Sequence, residues 1–240
     1  MELGYEGRHV VVTGGTGELG GAVVAALLEA GAIVHVPCRN ADKPGSLGVL
    51  RSAELKLVGG IDLGDEAAVS RFYAELPALW ASIHSAGGFT MSSIGDTSMK
   101  DFEALMKTNA SSCFLSCREA VKAIRRSNPV GPGGKGRIVN VTAMPALEPR
   151  HGAGMIAYAS SKAAVAAITI ALAEEVANEG IWVNAIAPSI MDTRANRAAM
   201  PHADASVWAK TEEVAKTIAF LASPQNLVAR GGIVPVYGRS

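Results

Sequence analysis

The stretch HVVVTGGTGELG, residues 9–20, runs an apolar strand pattern into a glycine turn and then into the start of a helix pattern. Gly14, Gly17 and Gly20 recur every third residue. In such a turn the first glycine takes the tight bend and the second lets backbone approach a diphosphate. The third lets helix and strand pack closely. The helix that begins here offers free N–H groups and the positive end of its dipole to an anion. Because strand, turn and helix agree, the spacing predicts a nucleotide site built from Gly14, Thr16, Gly17, Glu18, Leu19 and Gly20. Glu18 is the odd member. It suits a helix first turn, yet its charge opposes a nearby phosphate unless it points away, so capping is its plainer role.

Outward from this turn, apolar runs of strand length alternate with helical patterns. The further expected strands are AIVHV (32–36), LKLV (55–58), WASIH (80–84), RIVNVT (137–142), IWVNAIA (181–187) and GIVPV (232–236). Several are continuously apolar, as strands are when both sheet faces are covered. Helical patterns fill about 18–30, 65–76, 100–126, 157–179 and 211–222. This alternation predicts an α/β fold, a doubly wound parallel sheet of about seven strands with helices on both faces. No linker or charge run divides the chain, so residues 1–240 read as a single dinucleotide-binding and catalytic domain. Segment 40–54 predicts only a rudimentary helix, and NPVGPGGKG (128–136) a helix-to-strand loop. The long connection 188–210 is of the kind that forms substrate lids.

Lys and Arg number 22, as do Asp and Glu, so the formal net charge is +0. Nothing steers the chain globally towards nucleic acid or an anionic membrane. Cys38, Cys113 and Cys117 read as buried small residues, and no clustered Cys or His suggests a metal site. The N-terminus shows no signal-peptide pattern, and no uncharged apolar run suggests a membrane span. A reducing, cytoplasmic compartment is expected, in which the glycosylation-type triplets at Asn109 and Asn140 carry no meaning.

Two further features carry chemistry. At the end of the second strand stands PCRN (37–40). An acidic residue here would accept from ribose hydroxyls and repel a 2′-phosphate. Cys38 does neither, and Arg39 suits the extra phosphate of NADP, with NAD the alternative. The second feature is YASSK (158–162), which sets Tyr158 and Lys162 four apart in a helical pattern, on one face.

With these pieces in order, the chain resembles the short-chain dehydrogenase/reductase family over essentially its full length. The matching residues are the glycine turn, Asp62-Leu63, SAG (85–87), Asn109, Tyr158 with Lys162, and PSIMDT (188–193). The resemblance implies a Rossmann fold and hydride transfer between a nicotinamide cofactor and a small molecule. Tyr158 is then the general acid, and Lys162 lowers its pKa and holds the nicotinamide ribose. Asn109 anchors a proton-supplying water chain, and Asp62 and Leu63 contact the adenine. Ser85, Ala86 and Gly87 flank the adenosine ribose, while Pro188, Ile190 and Thr193 contact the nicotinamide end. It also implies dimers or tetramers through helices 100–126 and 157–179.

The chain departs from the family pattern in its glycine spacing, at Ser85 (usually Asn) and at Ser189 (often Gly). The strand before Tyr158 ordinarily ends in Ser-Ser, the second serine holding the substrate oxygen, yet here it reads Thr142-Ala143. Losing such a donor typically costs about 10²–10³ in rate. Either Thr142 substitutes, or the substrate needs no such donor, or the chain is a nucleotide-binding sensor without turnover. The dihydropteridine reductase branch keeps Tyr and Lys without the serine. GGTGELG, AGG (86–88), ALEPRHGAGMIAY (146–158) and DTRANRAAMPHADASVW (192–208) resemble it. In the last segment Trp208 either stacks on a flat ring or pins the lid. Arg150, His151 and Met155 stand at the pocket edge.

Overall fold

The computed structural model of the chain describes residues 3–50, 52–127 and 135–239. Residues 128–134 of the expected glycine-rich loop lie outside the described residues. Seven strands, β1 (His9–Thr13), β2 (Ile33–Pro37), β3 (Leu55–Val58), β4 (Ala81–His84), β5 (Gly136–Val141), β6 (Ile181–Pro188) and β9 (Ile233–Val236), form one sheet. Their order is β3-β2-β1-β4-β5-β6-β9, and every neighbouring pair is parallel. Each predicted strand is present, with no end displaced by more than one residue.

Alternation along β1 shows why both faces read as apolar. Val10 and Val12 enter one core with Val23, Val24 and Leu27 of α1 (Glu18–Glu29) and Val214 and Ile218 of α8 (Thr211–Leu221). Val11 enters the other core with Val69 and Phe72 of α2 (Glu66–Ala74), Cys117 and Ile124 of α4 (Ser112–Ser127) and Val165 of α6 (Ile156–Glu175). Side chains on successive strand residues point to opposite faces, so one apolar run serves two helical layers. Helix α6 is long and apolar enough, by length and composition, to cross a membrane. It packs instead against β6 and buries Ser161, Lys162, Val165 and Thr169.

The helical pattern over 100–126 is not one regular helix. It consists of α3 (Met99–Leu105), a π-helical segment (Met106–Ser111) and α4. The π segment turns Asn109 and Ala110 inward, and such widenings recur at functional sites. Segment 40–54 holds a short 3-10 turn over Gly45–Val49. After β5 come α5 (Met144–Leu147) and a 3-10 turn (Pro149–Gly152). The expected lid is ordered: β7 (Met191–Asp192) pairs with β8 (Ala209–Lys210), with α7 (Arg194–Ala199) between them. Trp208 is buried, which pins this segment to the body.

Candidate active site

Strand order reverses at β1, which pairs with β2 on one side and β4 on the other. Connections leaving the carboxyl ends of β1 and β4 therefore diverge to opposite faces and open a crevice. A cleft of about 540 Å³ lies there. Its walls are Gly14, Thr16 and Gly17 of the glycine turn, Cys38 and Arg39 after β2, Asp62 and Leu63 after β3, and Ser85, Ala86 and Gly87 after β4. Nine of the predicted cofactor residues thus meet. Lys107 and Thr108 also line the cleft and were not predicted; their one signal was a position just before Asn109.

The glycine turn is shaped by exclusion. Gly14 has φ 71°, and a Cβ on it would stand 2.5 Å from the Ala86 backbone nitrogen. A Cβ on Gly20 would strike the Gly14 carbonyl. The first turn of α1 has no side-chain cap at Gly17, so its free N–H groups remain for an anion. Ser85 donates its hydroxyl to the Thr13 carbonyl at 2.8 Å and ties the two strand ends together. Asp62 accepts from the Gly64 N–H at 2.9 Å. Arg39 makes no ion pair among the described residues. A side-chain-free turn at a helix N-terminus, with a guanidinium at the ribose end, fits a dinucleotide.

Two side chains of the turn face away from the cleft. Glu18 is directed away from the cleft: its carboxylate accepts from the Arg194 N–H at 3.2 and 3.1 Å and lies 3.5 Å from that guanidinium. Its side chain caps the first turn of α7. Leu19 is a core residue, packed under the turn. Pro188, Ile190 and Thr193 stand at the root of the lid, outside the cleft. Pro188 ends β6, Ile190 is partly exposed and the Thr193 hydroxyl caps α7 by accepting from the Asn196 N–H at 3.2 Å.

Tyr158 and Lys162 lie on one face of α6, with the Lys162 Nζ 5.9 Å from the Tyr158 ring centre. The Phe89 ring meets Tyr158 edge-on at 4.9 Å. Lys162 donates to the Val141 carbonyl at 2.9 Å. Asn109 accepts from the Gly88 N–H at 2.7 Å and donates to the Gly88 carbonyl and the Ser161 hydroxyl. Gly87 has room only for hydrogen, because a Cβ there would lie 2.8 Å from Asn109 Oδ1 and 3.3 Å from Lys162 Nζ. The predicted cluster is therefore assembled from β4, the π segment and α6.

Its electrostatics differ from expectation. Burial pushes the Tyr158 phenol up to about 12 and the Lys162 ammonium down to about 8. The expected lowering of Tyr158 by Lys162 does not appear. Desolvation dominates, and the ammonium is engaged by the Val141 carbonyl.

Thr142 does not replace the absent serine. Its buried hydroxyl donates to the Lys162 carbonyl at 2.6 Å and fastens α6 to the end of β5. Ala143 follows in extended conformation, buried and without a polar side-chain atom. The absence of a clustered His near Cys113 and Cys117 also fails: His84 at the end of β4 reaches both thiols.

A parallel sheet in this order, with such a crevice and a Tyr–Lys pair on the helix after β5, defines a nicotinamide-dependent oxidoreductase. The chain belongs to the short chain dehydrogenase family, which it matches over residues 8–204. It is 27% identical to a 3-oxoacyl-[acyl-carrier-protein] reductase of Rickettsia felis, across 97% of this chain and 96% of that protein. It is 31% identical to a cyclopentanol dehydrogenase of Comamonas testosteroni, across 78% and 74%. A solved dehydrogenase/reductase from Sinorhizobium meliloti superposes with TM-score 0.84 at 25% identity, covering 99% and 96%. ElxO with NADP bound superposes with TM-score 0.85 at 24% identity, covering 97% and 98%, a likeness of fold.

Proposed function

We propose that residues 1–240 act as one domain that reduces a carbonyl, quinonoid or imine-like small molecule, with Tyr158 as general acid and NADPH preferred over NADH. The observation that carries this reading is that Lys162 and Asn109 close on Gly87, a wall of the cleft, with Tyr158 beside Lys162 on α6. NADPH, when bound, supplies the hydride. Tyr158 supplies the proton to the substrate oxygen or nitrogen. A phenol at about 12 stays protonated throughout the neutral range, so its proton is in place when substrate binds. Lys162, brought down to about 8, gives up a proton far more easily than an ordinary lysine and can reprotonate the phenolate. Asn109 holds the Gly88 backbone and Ser161, which keeps the β4 loop and α6 in register. Arg39 would pair with the 2′-phosphate, and Gly14, Thr16 and Gly17 with the diphosphate.

The test is turnover of NADPH with ketones, quinones and quinonoid dihydropterin, in the wild type and Tyr158→Phe. Loss of general acid catalysis typically lowers the rate about 10²–10⁴-fold. Unchanged turnover with retained cofactor binding would remove Tyr158 from the mechanism.

Ala143 favours a narrower reading, an activity like dihydropteridine reductase. An electron-poor quinonoid acceptor takes hydride without the extra donor, and the edge of Phe89 against Tyr158 leaves an apolar wall for a flat ring. Preference for quinonoid pterin over simple ketones supports this reading, and the reverse preference refutes it. Binding of NADPH with no turnover on the whole panel would instead identify a redox sensor. We further propose a homodimer or homotetramer formed through α4 and α6, where Phe114 and Ile170 are exposed. A reducing, cytoplasmic compartment would keep the three cysteines as thiols.

A further inference from the structure

Behind the catalytic lysine, on the face of the sheet covered by α4, lies a polar cluster that the proposed reaction does not use. His84 ends β4, and Cys113 and Cys117 stand one helical turn apart on α4. All three are buried, and their ligand-type atoms lie within 4.8 Å of one another. His84 Nδ1 is 3.5 Å from the Cys117 sulfur. Asn140 of β5, fully buried, brings its Oδ1 to 2.8 Å from His84 Nδ1 and 3.5 Å from the Cys117 sulfur. Two sulfurs, one imidazole nitrogen and one amide oxygen therefore converge from three elements inside the buried core.

We propose that His84, Cys113, Cys117 and Asn140 form a closed binding site for one thiophilic cation of the Zn(II) type. Tetrahedral zinc holds sulfur at about 2.3 Å and imidazole nitrogen at about 2.0–2.1 Å, which sets ligand atoms roughly 3.3–3.8 Å apart. The His84–Cys117 and Asn140–Cys117 approaches already have this spacing. The 2.8 Å between His84 Nδ1 and Asn140 Oδ1 is shorter than that spacing, so binding would part these two ligands by roughly half an ångström.

The surroundings orient the donors as a metal site requires. His84 Nε2 lies 2.8 Å from the Ser82 hydroxyl, which itself contacts the Tyr73 hydroxyl at 2.8 Å. Without a metal His84 Nδ1–H donates to Asn140 Oδ1, since an amide oxygen only accepts; moving that proton to Nε2, where the Ser82 hydroxyl would accept it, frees the Nδ1 lone pair for a cation. Two acceptors 2.8 Å apart need a proton or a cation between them, and the two thiols add the soft ligands that select a metal. Asn140 is held in place by donating to the Thr169 hydroxyl at 2.9 Å.

Binding exchanges two thiol protons for one divalent cation. The protons leave to solvent, no redox step occurs, and two thiolates neutralise the metal in the core. The site would tie β4, β5 and α4 together. It would fill as the chain folds, since all four residues are buried, and its affinity would fall with falling pH as thiols compete for protons.

The test uses the full chain produced with zinc supplied and then dialysed against a weak chelator. Elemental analysis is expected to find one zinc per chain in the wild type, and none in Cys113→Ala or Cys117→Ala. Co(II) added to metal-free protein is expected to give thiolate-to-cobalt charge-transfer absorption that zinc abolishes. X-ray absorption on the wild type needs no variant to fold, and should show two sulfur neighbours at about 2.3 Å. Wild type that retains no zinc and gives no cobalt band overturns the proposal. So does zinc that persists in both variants, or an absorption spectrum with only oxygen and nitrogen neighbours.

Discussion

Replacing Lys162 by Met should make the protein more stable while it disables the site. Lys162 is 6% exposed, and burial holds its ammonium near 8 against an ordinary value of 10.5. At neutral pH the folded protein therefore carries a charge it would rather lose, a cost of about 3 kcal/mol. Methionine keeps the length and removes the charge. It also leaves the Val141 carbonyl without its lysine donor, which costs about 1 kcal/mol. The expected net gain is about 2 kcal/mol at pH 7, or roughly 4–8 °C in Tm for a chain of this size. The pH dependence has a definite sign. Below about 8 both folded and unfolded chains hold the Lys162 proton, and the full cost is present. Between 8 and 10.5 the unfolded chain still holds it and the folded one does not, so wild-type stability from this residue rises with pH. Urea unfolding of both proteins at pH 7 and pH 10, with NADPH oxidation measured in parallel, reads the prediction. Lys162→Met should be more stable at pH 7, the gap should narrow by pH 10, and turnover should collapse. A variant less stable than wild type at pH 7, or a gap independent of pH, would refute the argument that burial sets the state of Lys162.

Three more outcomes follow from the geometry. Gly14→Ala forces a left-handed φ of 71° on alanine and drives a Cβ into the Ala86 backbone. The two effects should cost about 2–5 kcal/mol in unfolding measurements and weaken dinucleotide binding in titration calorimetry. Arg39→Ala should lower NADPH affinity about 10- to 100-fold and leave NADH affinity nearly unchanged, since a charge-assisted contact is worth about 1.5–3 kcal/mol. Equal effects on both cofactors would take Arg39 out of the 2′-phosphate site. Thr142→Val should lose about 1 kcal/mol of stability with the bond to the Lys162 carbonyl, while kcat stays within a few-fold of wild type. A rate loss of 10²-fold there would restore Thr142 as a substrate donor.

Much of this fold is written locally. Each strand of the main sheet is a short apolar run, because a strand covered on both faces must be apolar at every position. The glycine turn is legible for a similar reason: only glycine tolerates φ 71° at Gly14 and the close approach at Gly20. Tyr158 and Lys162 share a face because helical spacing places residues four apart together. The regular pattern over 100–126 concealed the π segment, since one widened turn shifts Asn109 without changing which residue types follow.

Other features depend on distances between segments far apart in the chain. Glu18 meets Arg194 and Thr142 meets the Lys162 carbonyl only after the sheet is assembled. His84 joins Cys113 and Cys117 because β4 lies between β1 and β5 with α4 packed above it. The sequence by itself determined the element order, the glycine turn and the spacing of Tyr158 and Lys162. These rest on backbone conformation and on periodicity within one segment. Tertiary structure alone decided where the Thr142 hydroxyl turns, how far burial moves the phenol and the ammonium, and which side chains converge behind them. Sheet order, register and solvent exclusion belong to the assembled chain, and no short stretch encodes them.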